Sequence, residues 1–309
     1  MINVRLYKQI VLGIIGLSFV LFVFGSITYA WVSMAQINNI DNIQMSASAG
    51  DELQISLDGV NYHTALPGDD LTHNMRLKDV TSRDGITFTR GAFSEYGTAL
   101  AGSDYISFNL YFRTERPESG LYLVNKPTDE DILENASRGT YVTSAGITFM
   151  PQVHYTEENN ELILAHQIKT YYAKDALRLS LSELDENNQV IKTLIYDPSE
   201  NEARGYGKYY GAYSYFIAKT DSHLELPTMI PPTTYRLSQM DPNNPYQALD
   251  NTSLVAIMKR NIFQQDDDPF TYATVRINLW IEGWDADAID GIIQDILQVQ
   301  LEFKIAHPA

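Results

Sequence analysis

Strict alternation of apolar and polar residues is the feature that most restricts this chain. In Tyr105–Arg113, Ile106, Phe108, Leu110 and Phe112 fall on one side of an extended strand, and Tyr105, Ser107, Asn109, Tyr111 and Arg113 on the other. Successive side chains of a strand point to opposite faces, so a period of two puts the first set in a core and the second in water. The pattern returns as Val275, Ile277, Leu279 and Ile281 against Arg276, Asn278, Trp280 and Glu282. It returns again as Val299, Leu301, Phe303 and Ile305 against Gln300, Glu302 and Lys304. Leu177, Leu179 and Leu181 predict a fourth strand, and Leu53, Ile55 and Leu57 a fifth. A helix, with a period of 3.6, does not bury such a row.

Turn chemistry agrees. Asp58-Gly59 between two alternating runs is a hairpin signal, Asp84-Gly85 precedes a further strand, and Glu186-Asn187-Asn188 separates the Leu177 strand from Val190–Ile195. Asp197-Pro198 closes that strand in turn. The 20 tyrosines and 12 phenylalanines suit a pleated, half-buried surface. Helix signals are confined to Asp129–Asn135 and to Asp287–Leu297, where Ile289, Ile292, Ile293 and Ile296 have helical spacing. Many short strands, each with one wet face, predict an all-β fold, a jelly-roll-like antiparallel β-sandwich.

The amino terminus is different. Ile10–Trp31 is 22 residues without a charge, long enough to cross a ~30 Å hydrocarbon layer as a helix. Arg5 and Lys8 precede it, which keeps the first residues cytosolic and sends the rest outside. Residues 1–31 therefore read as a signal peptide or a transmembrane anchor, 32–40 as a connector, and 41–309 as the extracellular sandwich. The length favours an anchor, and Thr28-Tyr29-Ala30 favours cleavage after Ala30. Left uncleaved, this helix makes the membrane a partner.

Net charge is −17, and everything from Asp41 onward holds all 39 acids with 20 of the 22 bases. Such a surface repels phosphate backbones, which excludes a nucleic-acid partner. Cysteine is absent, so disulfides, thiolate metal sites and a cysteine nucleophile are excluded together. None of the six histidines stands in a paired metal motif, and the chain has no G-x-S-x-G elbow or phosphate-binding glycine loop. These readings predict a chain that is not an enzyme and takes no cofactor, with calcium as the one exception to consider. Asp285, Asp287 and Asp290 follow a strand and are the calcium candidates; Asp266-Asp267-Asp268 form a second acidic loop. A helix amino terminus capped by Asp285 or Asp287 accounts for the same residues and is the preferred reading. The stretch from Gly205 to Phe216 holds Tyr206, Tyr209, Tyr210 and Tyr213, which suit a stacking surface for sugar rings or a partner. The same residues also suit a glycine-flexed loop entering a strand with Tyr213 and Tyr215 on one face.

Three places carry a resemblance. The apolar run ending in Thr28-Tyr29-Ala30-Trp31 resembles the exit signature of Gram-positive surface proteins related to camelysin and the TasA biofilm fibre protein, with Val32 where Phe is common there. Asp104–Arg113 and Ala176–Leu181 are similar to core strands of exported Firmicutes proteins, and Leu279–Asp287 resembles their carboxyl-terminal pattern, with Ala288 where they often have Cys. The resemblance implies a secreted or cell-surface sandwich, a structural or adhesive protein, and in the fibre-forming relatives an amino-terminal strand donated to the next subunit. Here that strand is Gln36–Leu57. Self-assembly into an extracellular fibre or biofilm matrix is the expected role; binding of a cell-wall polysaccharide through the tyrosine stretch is the alternative. Peptidase activity attributed to camelysin-like proteins has no motif to rest on in this chain.

Overall fold

A computed structural model describes residues 13, 16–18, 42–49, 52–66, 77–91, 97–124, 139–260, 268–292 and 294–309. The chain divides into two compact units, Met1–Ile37 and Asn38–Ala309. In the first, residues 13 and 16–18 are helical. The rest of the expected Ile10–Trp31 helix, the cleavage site after Ala30, the 129–135 helix and Asp266-Asp267 lie outside the described residues. Among the described residues no helix is long and apolar enough to cross a membrane.

The second unit is all-β. One sheet contains β1 (Asn42–Ala49), β3 (Ala65–Leu66), β7 (Gly120–Leu123), β8 (Tyr141–Ser144), β12 (Leu254–Ile257) and β14 (Ile296–Ala306). Its order is β12-β7-β14-β1-β3, with β8 also on β14. The other contains β2 (Gln54–Ser56), β4 (Asp79–Thr81), β5 (Thr89–Arg90), β6 (Ile106–Thr114), β9 (Leu177–Leu184), β10 (Val190–Tyr196), β11 (Thr233–Thr234) and β13 (Thr271–Glu282). Here β13 runs between β9 on one side and β6 then β4 on the other. The pairing is mixed rather than purely antiparallel, because β1–β14, β4–β13 and β10–β11 are parallel.

The alternating residues build one core between the sheets. Leu110, Phe112, Leu179, Leu181, Ile277 and Leu279 from one sheet meet Leu121, Val299, Leu301 and Phe303 from the other. Phe112 and Phe303 touch with ring centroids 4.8 Å apart. Leu53 and Ile55 are fully buried, while Leu57 and Phe108 pack against the core from its margin. Each fully buried Leu, Ile or Phe contributes about 1.5–3 kcal/mol relative to exposure.

The outer face of the β9–β13 sheet corrects the expectation of a wet side. Asn278, Trp280 and Glu282 are buried, as are Ser180 and Arg178 opposite the first two and Ser182 further along β9. Residues 82–91 and 97–105 fold back over this face. Phe88 stacks on Tyr105 and meets Trp280 edge-on, enclosing a second small core with Val80 and Ile195. Gly85, at φ +69°, lies so close to the sheet that an added Cβ would sit 2.7 Å from Ser180 Cβ. Its carbonyl accepts hydrogen bonds from Ser180 Oγ (2.6 Å) and Asn278 Nδ2 (3.1 Å). The first half of β13, with β6 and β2, keeps a half-exposed outer face.

Candidate functional site

The two motifs singled out in the sequence come together in space. The turn after β13, residues 283–291, lies against the tyrosine stretch through main-chain hydrogen bonds. Gly207 donates to Trp284 O (2.8 Å), Ala286 to Arg204 O (3.0 Å) and Ala212 to Ala286 O (2.8 Å). Gly211, at φ +62°, makes this approach possible, since an added Cβ would collide with the Ala286 carbonyl. The chain then enters a helix, α1 (Ala212–Thr220), rather than the strand expected from Tyr213 and Tyr215. Helical spacing turns Ala212 and Tyr215 inward together. Within the range of the helix expected over Asp287–Leu297 the described residues form a single tight turn, Asp290–Ile292, and β14 begins at Ile296. Gly291 is packed against Tyr171 and Phe149, where no side chain fits.

The acidic residues of the turn are each matched to a different cation. Arg178, at the start of β9 and 2% exposed, binds Asp285 and, at 2.8 Å, Asp197. Arg204 lies 2.6 Å from both Asp287 and Glu157, and Glu157 also receives Lys169 at 2.8 Å. Lys219, on α1, binds Asp290. Glu282 accepts Trp280 Nε1 (2.9 Å) and the main-chain N–H of Ser82 (3.3 Å) and Trp284 (3.2 Å). Burial pushes the carboxyls of Asp197 and Asp285 up, against the pull of Arg178. Burial likewise raises Asp287 against Arg204, and Glu282 against its hydrogen bonds.

This arrangement can lock loops together. A calcium ion takes six to eight oxygens converging from one loop. Asp285, Asp287 and Asp290 do not converge, because Arg178, Arg204 and Lys219 draw them apart. Among the described residues no group of three or more His, Cys, Asp or Glu is placed to hold a metal.

The tyrosines divide between packing and surface. Tyr206 is buried beside Trp284, and Tyr210 is buried with its hydroxyl donating to Ala203 O. Tyr213 donates to Leu224 O at 2.6 Å. Tyr209 is the exposed member, 56% accessible, with its ring edge-on to Tyr210. Sequence reasoning missed Arg178 and Arg204, which organise this region. Their partners lie as far as 107 residues away, so no local spacing marks them. No protein-family model, no curated protein and no solved structure matches the chain.

Proposed function

We propose that this chain is a non-enzymatic structural or adhesive protein of the cell surface, a jelly-roll-like sandwich exported by its apolar amino terminus and assembled into an extracellular fibre. The observation that supports this reading is the position of β1. It is the first strand of the sandwich, and it lies parallel to the last strand, β14, in an eight-residue register from Asn42↔Ile296 to Ala49↔Phe303. On its other edge, among the described residues, it meets only Ala65 and Leu66 of β3, through Ser48 and Ala47. A strand held mainly along one side by backbone hydrogen bonds can be exchanged for the same strand of a neighbour at little cost in contacts. Among the described residues Asn42–Ser46 has no pairing partner on that edge, which offers a second site for addition.

The locked charge cluster supports a non-enzymatic reading in its own way. Its carboxylates are each paired with a cation, whereas acid–base catalysis requires groups that can reach a substrate. The test is assembly. Purified protein is expected to form heat-resistant filaments, and deletion of Gln36–Ser48 is expected to leave soluble, folded monomer. Filaments of unchanged length and abundance after the deletion would contradict the proposal.

A further inference from the structure

The half-exposed outer face of β6, β2 and the first half of β13 is built differently from the rest of the surface. Arg113, on β6, lies between two rings, with its guanidinium carbon 4.2 Å from the Tyr62 centroid and 4.5 Å from that of Phe270. Its Nε donates to Gln54 Oε1 at 2.7 Å. That bond fixes the plane of the fork and leaves Nη1 and Nη2 without a hydrogen-bond partner among the described residues. Tyr272 stands directly opposite Arg113 in the sheet register, and Asn109 stands opposite Arg276. Tyr111 lies between them on the same side, its ring resting over Gly59. All of these side chains are partly exposed. One end of the face adjoins an open pocket of about 720 Å³ whose lining includes Glu115, Arg260, Asp268 and Pro269.

We propose that this face binds an uncharged polysaccharide. Four observations lead to that occupant. Flat rings interleaved with planar polar groups (guanidinium, carboxamide, phenol) match a sugar chain, which offers apolar ring faces and equatorial hydroxyls together. Charge is balanced on a molecule of net −17: Arg113 and Arg276 are offset by Asp58 and Asp268 at the margins. Asp58 is occupied by its own turn, accepting Ser56 Oγ, the N–H of Val60 and Asn61, and Asn61 Nδ2, while Asp268 accepts the Tyr272 hydroxyl at 2.9 Å. A peptide adding as a strand finds no free backbone here, because Tyr111–Arg113 is paired with β2 on one side and β13 on the other. Recognition therefore falls to side chains, and Arg113 arrives pre-oriented, which lowers the entropy cost of binding.

This proposal is independent of strand exchange and differs from the tyrosine-stretch alternative in its location. Calorimetric titration of the full chain in detergent with a soluble β-glucan, a soluble α-glucan, polygalacturonate and poly-glutamate tests it. At least one neutral glucan is expected to bind, with a Kd that changes less than about twofold between 50 and 500 mM salt, because no ion pair is formed. Arg113→Lys keeps the charge but removes the planar fork, and Phe270→Ala removes one stacking wall. Each is expected to weaken binding roughly tenfold or more. Tyr209→Ala is expected to leave it unchanged. Failure of both glucans to bind, binding confined to the two anionic polymers, or glucan binding lost with Tyr209→Ala but kept by Arg113→Lys would each overturn the assignment. A circular-dichroism melt of every variant distinguishes loss of the site from loss of the fold.

Discussion

At the scale of single residues, the decisive positions are those where a side chain enters a surface that the alternation assigns to water. Asn278 is the clearest. Its carboxamide donates to Gly85 O and to Ser180 Oγ inside a closed face. Asn278→Ala removes both of these bonds, although Gly85 O keeps its bond from Ser180 Oγ, and is expected to cost about 0.5–1.5 kcal/mol in urea denaturation. Leu279→Ala, one residue on and in the main core, is expected to cost about 2–5 kcal/mol. A value near zero for Asn278→Ala would mean that residues 82–91 do not cover the sheet. Arg178 carries higher stakes, because it faces the buried carboxyls of Asp197 and Asp285, with Glu282 close by. Arg178→Met is expected to cost about 3–5 kcal/mol, since it leaves that acidic charge buried without its counterion. Period-two alternation identified the inward residues of β6, β9, β13 and β14 correctly. It had no means of showing that the outward set of β9 and of the end of β13 is also enclosed, because the covering segment lies far away in sequence.

At the scale of elements, strands were legible and the short helical pieces were not. Asp58-Gly59 and Asn187-Asn188 form the turns their residues predict, with Gly59 and Asn188 at positive φ. Tyr213 and Tyr215 suggested a strand because they are two apart, yet α1 forms there. Gly211 sets its start, and Ala212 and Tyr215 provide its inward side. Gly211→Ala is expected to lower stability by more than about 1 kcal/mol, combining a positive φ with a collision against the Ala286 carbonyl. Gly97→Ala, also at positive φ but with open space around it, supplies the comparison for backbone strain alone. The isoleucines after Asp287 suggested a helix by spacing, but Asp285 and Asp287 turn to Arg178 and Arg204, and the last strand begins at Ile296. Of the candidate site residues, the tyrosine stretch and the acidic turn were legible as unusual segments. Their mutual packing depends on partners that only the fold brings together.

At the scale of the whole molecule, charge governs stability against pH. Burial raises the carboxyls of Asp197, Asp285, Asp287 and Glu282 above their ordinary values. Between the ordinary and the raised values the folded chain holds more protons than the unfolded one, so stability falls as pH rises through that window and returns on acidification. Asp104 and Asp250 act in the opposite sense. Burial opposes the shift, yet hydrogen bonds from Lys78, Leu100 N–H and Arg90 bring Asp104 down to about 2, and those from Thr252 and Gln239 N–H bring Asp250 to about 2. Their stabilisation is complete above the ordinary value of 3.8 and is lost as pH falls toward 2. Thermal melting is therefore expected to rise as pH falls through that window toward the ordinary carboxylate value and to fall again from 3.8 toward 2, and Asp285→Asn should flatten the upper limb. A melting temperature that falls steadily from neutral pH would show that the cluster is fully ionised in the folded chain. The proposed exchange of β1 between subunits against β14 can be tested directly because the chain contains no cysteine. Ser46 and Gln300 stand opposite each other in the β1–β14 register, so Ser46→Cys with Gln300→Cys introduces one disulfide at that seam and no other. Non-reducing electrophoresis of fibres assembled from this variant is predicted to show a ladder of covalent multimers that collapses to monomer on reduction; cross-linked monomer alone would contradict the account.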